Sequence, residues 1–399
     1  MGVMDGIKVV EVAEHGFVPS AAAILADWGA DVVKVERATG DPLRGIMGAG
    51  FVADTGDFNF LFEQFNRNKR GVSIDLRSDD GRAALDKLLE WADVFITNFL
   101  PSARTKLRLQ PEDVWAVNPR LVYARGHGQG QRGPDADLGG FDSVSYWSRG
   151  GIGHMLTPPE GPFIMQRGAM GDGPSGAFLA GGIGTALFQR ERTGKGVLVD
   201  VALLGAAVWT LAVDLVPTSI LERDPDKFGA TVLSSPLVGP YATADGRWLV
   251  LNMLDADRHW APACRALGLA HVIDDPSYAT TEARAENRVA LRQLFIECIG
   301  SQTLADLRAA LSAEDTVFSA LASPIEVIAD HQVVENGYMP AHPAHEKARV
   351  ASGPVQFDME TTTVRRPAPK VGEHTDEVLG ALGFSAADIE RLRASGAIA

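Results

Sequence analysis

Short β-rich runs alternate with helical stretches through the first third of the chain, and this alternation restricts the fold more than any other feature. Ile7 to Val12 is β-rich, a glycine turn follows at Gly16, Ser20 to Trp28 reads as a helix, and Asp31 to Val35 returns as a second strand. A strand–helix–strand unit of this length is a crossover, which leaves its two strands parallel. The pattern recurs, with helical Gly81 to Trp91 and Pro111 to Val117 preceding strand-like Val94 to Thr97 and Leu121 to Ala124. The expected fold class is α/β, with a parallel sheet covered by helices. Glu36 ends the second strand about where a ribose-binding acid lies in a dinucleotide site. The turn Glu14-His15-Gly16-Phe17-Val18-Pro19, however, has one glycine where such a site needs a tight turn and close approach to a pyrophosphate.

A chain of 399 residues, 46% of them hydrophobic, can bury a large core and is expected to divide into two domains. The texture changes after the apolar segment Val199 to Val216, at Glu222-Arg223-Asp224-Pro225-Asp226, which suits a linker. A second, smaller α/β domain is expected over residues 222–323. It opens on a hairpin, Tyr241 to Leu251 around Ala244-Asp245-Gly246, and continues in helical patterns at Arg258 to Leu267, Asn287 to Ile299 and Leu304 to Leu311. Beyond Ser323-Pro324 the chain runs through a Pro-rich stretch, Arg366 to Pro369, to a helical tail at Ala386 to Ala394.

Fifty-one acidic against thirty-seven basic residues give a net charge of −14, with no basic block, which argues against nucleic acid or an anionic membrane as partner. An anionic ligand must meet a local basic pocket. Cys264 and Cys298 show no paired spacing, so two buried thiols are expected rather than a disulfide or a zinc site. No metal-ligand spacing is evident, and no cofactor or metal is expected. The N-terminus lacks a basic segment followed by an apolar run, and no apolar stretch reaches spanning length; a cytoplasmic protein is expected.

Asp172 lies in Gly171-Asp172-Gly173-Pro174-Ser175-Gly176, ahead of the apolar, small-residue stretch Ala177 to Phe188. Glycines on both sides remove Cβ atoms from the path of a substrate, and Pro174 and Ser175 supply helix-start chemistry, Ser175 offering a capping oxygen. A carboxylate beside the unpaired N–H groups of a helix start is favoured in its charged, attacking form. The alternative is that Asp172 caps the helix or closes a turn. Local sequence leaves both readings open.

Several segments, in order, resemble the class III CoA-transferases, the group that includes formyl-CoA transferase and carnitine CoA-transferase and is related to the α-methylacyl-CoA racemases. They include Leu25 to Arg37, Gly40-Asp41-Pro42-Leu43-Arg44-Gly45, Asn66 to Leu76, Asp93 to Phe99, Asn118 to Tyr123, Gly171-Asp172, Arg192 to Gly196, and Arg365 to Pro369 with Gly372 to Leu379. The resemblance implies a Rossmann-like CoA-binding large domain formed by residues 1–221 and 324–399, with residues 222–323 as the small domain. It also implies an interlocked homodimer. Asp172 matches the catalytic aspartate, whose expected role is covalent, through aspartyl-acyl anhydride and aspartyl-CoA thioester intermediates. CoA itself is a substrate moiety, moved from an acyl-CoA donor to a free carboxylic acid. Matching positions imply CoA contacts at Gly16, Phe17, Arg37, Ile74, Arg77, Asn98, Phe99, Lys106, Gly126 and His127.

Departures from relatives narrow the reaction. The racemases place a histidine in a Gly-His-Asp segment; here it reads Gly140-Phe141-Asp142, and Phe cannot abstract an α-proton. Transferase is therefore favoured over racemase or isomerase, and over a non-catalytic acyl-CoA-binding protein. At the stretch nearest the glycine loop of formyl-CoA transferase, the chain has Val232 to Pro240, which is not such a loop, and Gly16 stands where that enzyme has glutamine. Formate and oxalate are accordingly not expected as substrates. Tyr146 and Trp147 are expected in the core, with a wall near Asp172 suited to larger apolar acyl groups.

Overall fold

The first strand carries valines on both faces, so it needs apolar cover on both sides: Val9 enters one core cluster, Val10 and Val12 another. The computed structural model describes residues 2–49, 53–227 and 235–399. The strands β1 (Lys8–Val12), β2 (Asp31–Glu36), β3 (Arg70–Ser73), β4 (Val94–Thr97), β5 (Val122–His127) and β6 (Leu198–Ala202) form one parallel sheet in the order β3-β2-β1-β4-β5-β6. Register aligns Val10 with Val33 and Phe95, and Arg125 with Asp200.

The helices of this unit are α1 (Phe17–Asp27), α2 (Phe60–Asn66), α3 (Asp79–Trp91), α4 (Pro101–Lys106), α5 (Pro111–Val117), α6 (Ile152–Leu156), α7 (Asp172–Thr193), α8 (Leu203–Thr210) and α9 (Ala212–Leu221). A π-helical turn spans Asp142–Ser148. On the Val9 side the sheet is covered by α1, α7 and α8, and on the Val10 side by α3 and α5. Local chemistry starts α3 where it starts: the Ser78 hydroxyl accepts from Gly81 N at 2.9 Å, and Asp79 and Asp80 occupy the positive first turn.

Residues through Thr157, Pro162–Pro225 and His331–Ala399 form one compact unit, and Pro158–Gly161 with Asp226–Asp330 form the second. The sequence reading set these boundaries at 222 and 323. In the second unit β7 (Val238–Ala242) and β8 (Trp248–Asn252) make the hairpin, α10 (Ala256–Ala266), α11 (Thr281–Glu286), α12 (Arg288–Gly300) and α13 (Leu304–Ala313) follow, and β9 (Phe318–Ala320) pairs antiparallel with β8 before α14 (Pro324–Ala329). The chain then passes through α15 (His331–Glu335) to α16 (Thr375–Ala381) and α17 (Ala386–Ala394), which complete the Val10-side core of the first unit. Val232 to Pro240, the counterpart of the formyl-CoA transferase glycine loop, lies partly outside the described residues, at 232–234.

The first helix begins three residues earlier than Ser20, at Phe17, because Pro19 falls within the first turn, where its missing N–H costs nothing. The apolar segment from Val199 is not one element: it breaks into β6, α8 and α9. Cys264 is buried but Cys298 is only half-buried, its thiol donating to Leu267 O at 2.7 Å. No single helix among the described residues is long and apolar enough to cross a membrane; α8 and α9 together reach that length but are bent by 76°.

Helices α1 and α7 approach closely through small residues. A Cβ on Gly176 would fall well inside contact with Ser20 Oγ, which is itself bonded to Phe17 O at 2.7 Å and Asp172 O at 3.2 Å. Gly176→Ala must therefore push Ser20 off both carbonyls. We expect it to cost about 1–3 kcal/mol, read as a lower urea midpoint at unchanged slope.

Candidate active site

In an open parallel sheet the chain leaves neighbouring strands in opposite directions where the order reverses, and a crevice opens at their carboxyl ends. Here that point lies between β1 and β4. A cavity of about 920 Å³ sits there, walled by the segments following all six strands: Val12 to Phe17, Val35 to Thr39 with Asp41, Ile74 to Arg77, Asn98 to Leu100, His127-Gly128 and Leu203. Asp172 reaches it from the start of α7, and Gly139, Gly140 and Phe141 from the loop before the π-helical turn. Every lining residue belongs to the first unit.

Asp172 is the first residue of α7, and its half-buried carboxyl makes no hydrogen bond among the described residues. One oxygen abuts Gly16, where any Cβ would collide with it. Gly171 packs on the Tyr146 ring, with a Cβ position only 2.6 Å from ring carbon, whereas Gly173 faces open space. Ser175 is not a cap: the position before the helix is Gly171, no side chain caps it, and the Ser175 hydroxyl is buried with no partner. Nor does the helix start hold the carboxyl ionised. Burial, and then the Asp142 carboxylate, push it up to about 7. Asp142 is fixed beside it by Ser143 N at 2.8 Å and Gly171 N at 3.4 Å.

Of the ten residues matched to CoA contacts, eight line the cavity: Gly16, Phe17, Arg37, Ile74, Arg77, Asn98, Phe99 and His127. Lys106 and Gly126 do not. Lys106 is exposed at the end of α4, while Gly126 lies in β5 as a seat for α1, since a Cβ there would strike Val18 and, at 2.6 Å, the Phe17 ring. Arg37 is largely exposed, with Nη2 3.5 Å from Glu14, and burial raises the Glu14 carboxyl while Arg37 partly offsets it. Arg77 is exposed and paired with Asp75 at 2.9 Å. Both cations stand at the ends of β2 and β3, where an anionic ligand can reach them.

Two of the eight are committed to the protein. Asn98 clamps Glu14, accepting its N–H at 3.1 Å and donating to its carbonyl at 2.6 Å. His127 is buried; Nδ1 accepts Gly130 N–H at 2.9 Å, which leaves the proton on Nε2 to face Asp200. Asp200, held also by Arg125 at 2.8 Å, has a lowered carboxyl despite burial, because His127 and Arg125 outweigh it. Glu36 is likewise taken, by Arg44 (2.8 and 2.5 Å) and Asp41 N (2.8 Å), so it is not the free ribose-binding acid of a dinucleotide site.

The sequence reading missed His15, Glu14, Asp41 and Gly128 as parts of the wall; Phe141, from the segment whose aromatics could line a pocket near Asp172, lines it too. His15 packs edge-on against Phe141, with ring centroids 5.2 Å apart. The one signal available was Gly40-Asp41-Pro42, an aspartate in a turn sequence directly after a strand.

The chain is 30% identical, over 98% of both sequences, to an (R)-2-hydroxy-4-methylpentanoate CoA-transferase of Clostridioides difficile. It is 32% identical, over 95% of both, to a succinate–glutarate CoA-transferase of Agrobacterium fabrum. Among solved structures, a CAIB/BAIF family protein from Brucella suis superposes with a TM-score of 0.80 at 28% identity, covering 96% of this chain and 99% of the other. The family profile described as CoA-transferase family III matches residues 4–375, and the chain belongs to that family.

Proposed function

We propose that the protein moves CoA from an acyl-CoA to a free carboxylic acid, with Asp172 as the covalent nucleophile. The observation that carries this reading is a carboxyl free of hydrogen bonds at the cavity wall, abutting Gly16. The N–H groups of Gly16, Phe17 and Val18 have no acceptor among the described residues, and no side chain caps α1. They supply donors for the oxyanion of a tetrahedral intermediate at that position.

Asp172 attacks the thioester carbon and the CoA thiolate leaves, giving an aspartyl-acyl anhydride. The thiolate then attacks the aspartyl carbonyl and releases the donor acid, leaving an aspartyl-CoA thioester. An acceptor carboxylate attacks that thioester, expelling thiolate and forming a second anhydride. Attack of the thiolate on its acyl carbon yields the new acyl-CoA and regenerates Asp172. Covalent capture of this kind divides one hard exchange into easier steps. Arg37 and Arg77, both in the cavity wall, are the cations that would meet the CoA phosphates in this reading. Phe141, not a base, lines the cavity, which supports transfer over proton exchange at the α-carbon.

Asp172→Ala should lower transfer by roughly 10⁴-fold or more while CoA binding persists, measured by mass-spectrometric exchange assays and calorimetry. Hydroxylamine should trap an adduct on residue 172 of the wild type only. Retained transfer in the variant would end the proposal.

Because only ionised Asp172 attacks, kcat/KM should rise with pH through a midpoint near 7. Asp142→Asn removes a neighbouring negative charge, which favours ionisation of Asp172, so the midpoint should move to lower pH. An unmoved midpoint would show that Asp172 does not set the profile.

The active form we propose is a homodimer. Trp209, Val213 and Ile220 on α8 and α9 are 72%, 87% and 75% exposed, large apolar side chains that a second copy of the chain would cover. Val213→Asp with Ile220→Asp should shift the sedimentation profile from dimer to monomer; a wild-type monomer would refute this assembly.

A further inference from the structure

The turn that brings Gly16 against Asp172 is held from outside by three side chains. Lys34 Nζ donates to Ala13 O at 2.8 Å, Asn98 bonds both backbone groups of Glu14, and Asp41 Oδ1 accepts His15 N–H at 3.1 Å. His15 sits at φ 66°, a left-handed conformation that a residue with a Cβ adopts only when something holds it there. Among the three holders, Asp41 is the one bonded to that strained residue.

Asp41 is itself fixed on every side. Oδ1 also accepts Leu43 N–H at 2.9 Å, Oδ2 lies 3.0 Å from Lys34 Nζ, and its own N–H donates to Glu36 at 2.8 Å. It is 2% exposed. Its ionisation is secured by Lys34 and the N–H groups of Leu43 and His15, which together outweigh the opposing effect of burial. Asp41 thus joins the loop after β2 to the turn after β1, whose Gly16 abuts Asp172.

We propose that Asp41 is a positioning residue for the transfer reaction: by holding His15 N–H it fixes the left-handed turn, and with it the placement of the Gly16 main chain against the Asp172 carboxyl. The assignment rests on Asp172 being the nucleophile. Misplacement of a reacting group by about 1 Å costs on the order of a hundredfold in rate, whereas ground-state binding of CoA draws on the whole cavity. Loss of Asp41 should therefore appear in the chemical step.

The test measures single-turnover formation of the residue-172 adduct from an acyl-CoA, and CoA binding by calorimetry, in wild type, Asp41→Asn, His15→Gly and the double variant. Asp41→Asn should slow adduct formation on the order of a hundredfold with the CoA dissociation constant within about threefold. In the His15→Gly background the same substitution should cost at least about fivefold less, because glycine adopts positive φ without help. Equal penalties in both backgrounds, or binding that falls in step with rate, would overturn the assignment. Should Asp41→Asn fail to fold, with Lys34 short of a partner, Lys34→Gln/Asp41→Asn removes one charge of each sign and should show the same split between rate and binding. Absence of any adduct in the wild type would instead remove the Asp172 reading, and the role of Asp41 with it.

Discussion

Two lysines and two carboxylates without solvent contact hold the carboxyl ends of the first strands together. Glu11 lies between Lys34 (3.0 Å) and Lys69 (2.6 Å), and Lys34 continues to Asp41 at 3.0 Å. Burying four charges is costly, and the set is tolerable because it is neutral and hydrogen-bonded outward, Lys34 to Ala13 O and Lys69 to Pro19 O and Asn66. Burial pulls both lysines down. For Lys34 the two carboxylates win and the net shift is upward; Lys69 has only Glu11 as near counter-charge and falls to about 8. The reward is specificity of geometry. The turn after β1, the loop after β2 and the segment before β3 are fixed relative to one another, and each of the first two supplies part of the cavity wall.

A second constraint follows from the first. With the start of α1 fixed by that turn, α7 is brought against it by Gly176 under Ser20, and the hydroxyl of Ser20 reaches across to the carbonyl of Asp172. Two helix beginnings are then adjacent, one offering unpaired N–H groups and the other a carboxyl. Tight packing supplies the alignment but also dries the carboxyl, and Asp142 adds like charge, so Asp172 is harder to ionise than a surface aspartate. Alignment and ionisation oppose each other at this point, and in the proposed reaction the attacking carboxyl carries that tension in its ground state.

Much of this was legible in the chain. Strands β1, β2 and β4 have the β-branched runs that mark a strand buried on both faces, β5 begins in the apolar run Leu121 to Ala124, and the hairpin of the second unit was marked by Ala244-Asp245-Gly246, whose glycine takes φ 73°. β3 was hidden because Arg70-Gly71-Val72-Ser73 has neither length nor periodicity; only pairing with Val33 to Glu36 makes it a strand. β6 was hidden inside an apolar run that continues into α8 without a break in composition. The position of Asp172 could be read, but not its charge state, which depends on burial and then on Asp142, thirty residues away in sequence. The work of Asn98, His127 and Asp41 is invisible for the same reason: Asn98 and Asp41 act on backbone groups, and His127 on the Asp200 carboxylate, that only the sheet order brings near.

In the proposed reaction the cations let an acidic protein receive an acidic substrate. Arg37 and Arg77, the two arginines in the cavity wall, each already face a carboxylate, Glu14 and Asp75, and both arginines are largely exposed. Exposed pairs of this kind are worth about 0–1 kcal/mol, so a phosphate that offers more oxygens and more charge displaces the carboxylate at little cost. Pairing each arginine with a carboxylate also limits the local positive field in a protein of net charge −14. Recognition of CoA in the proposed reaction is then an exchange of partners at the strand ends, and the buried residues around Asp172 need not change theirs.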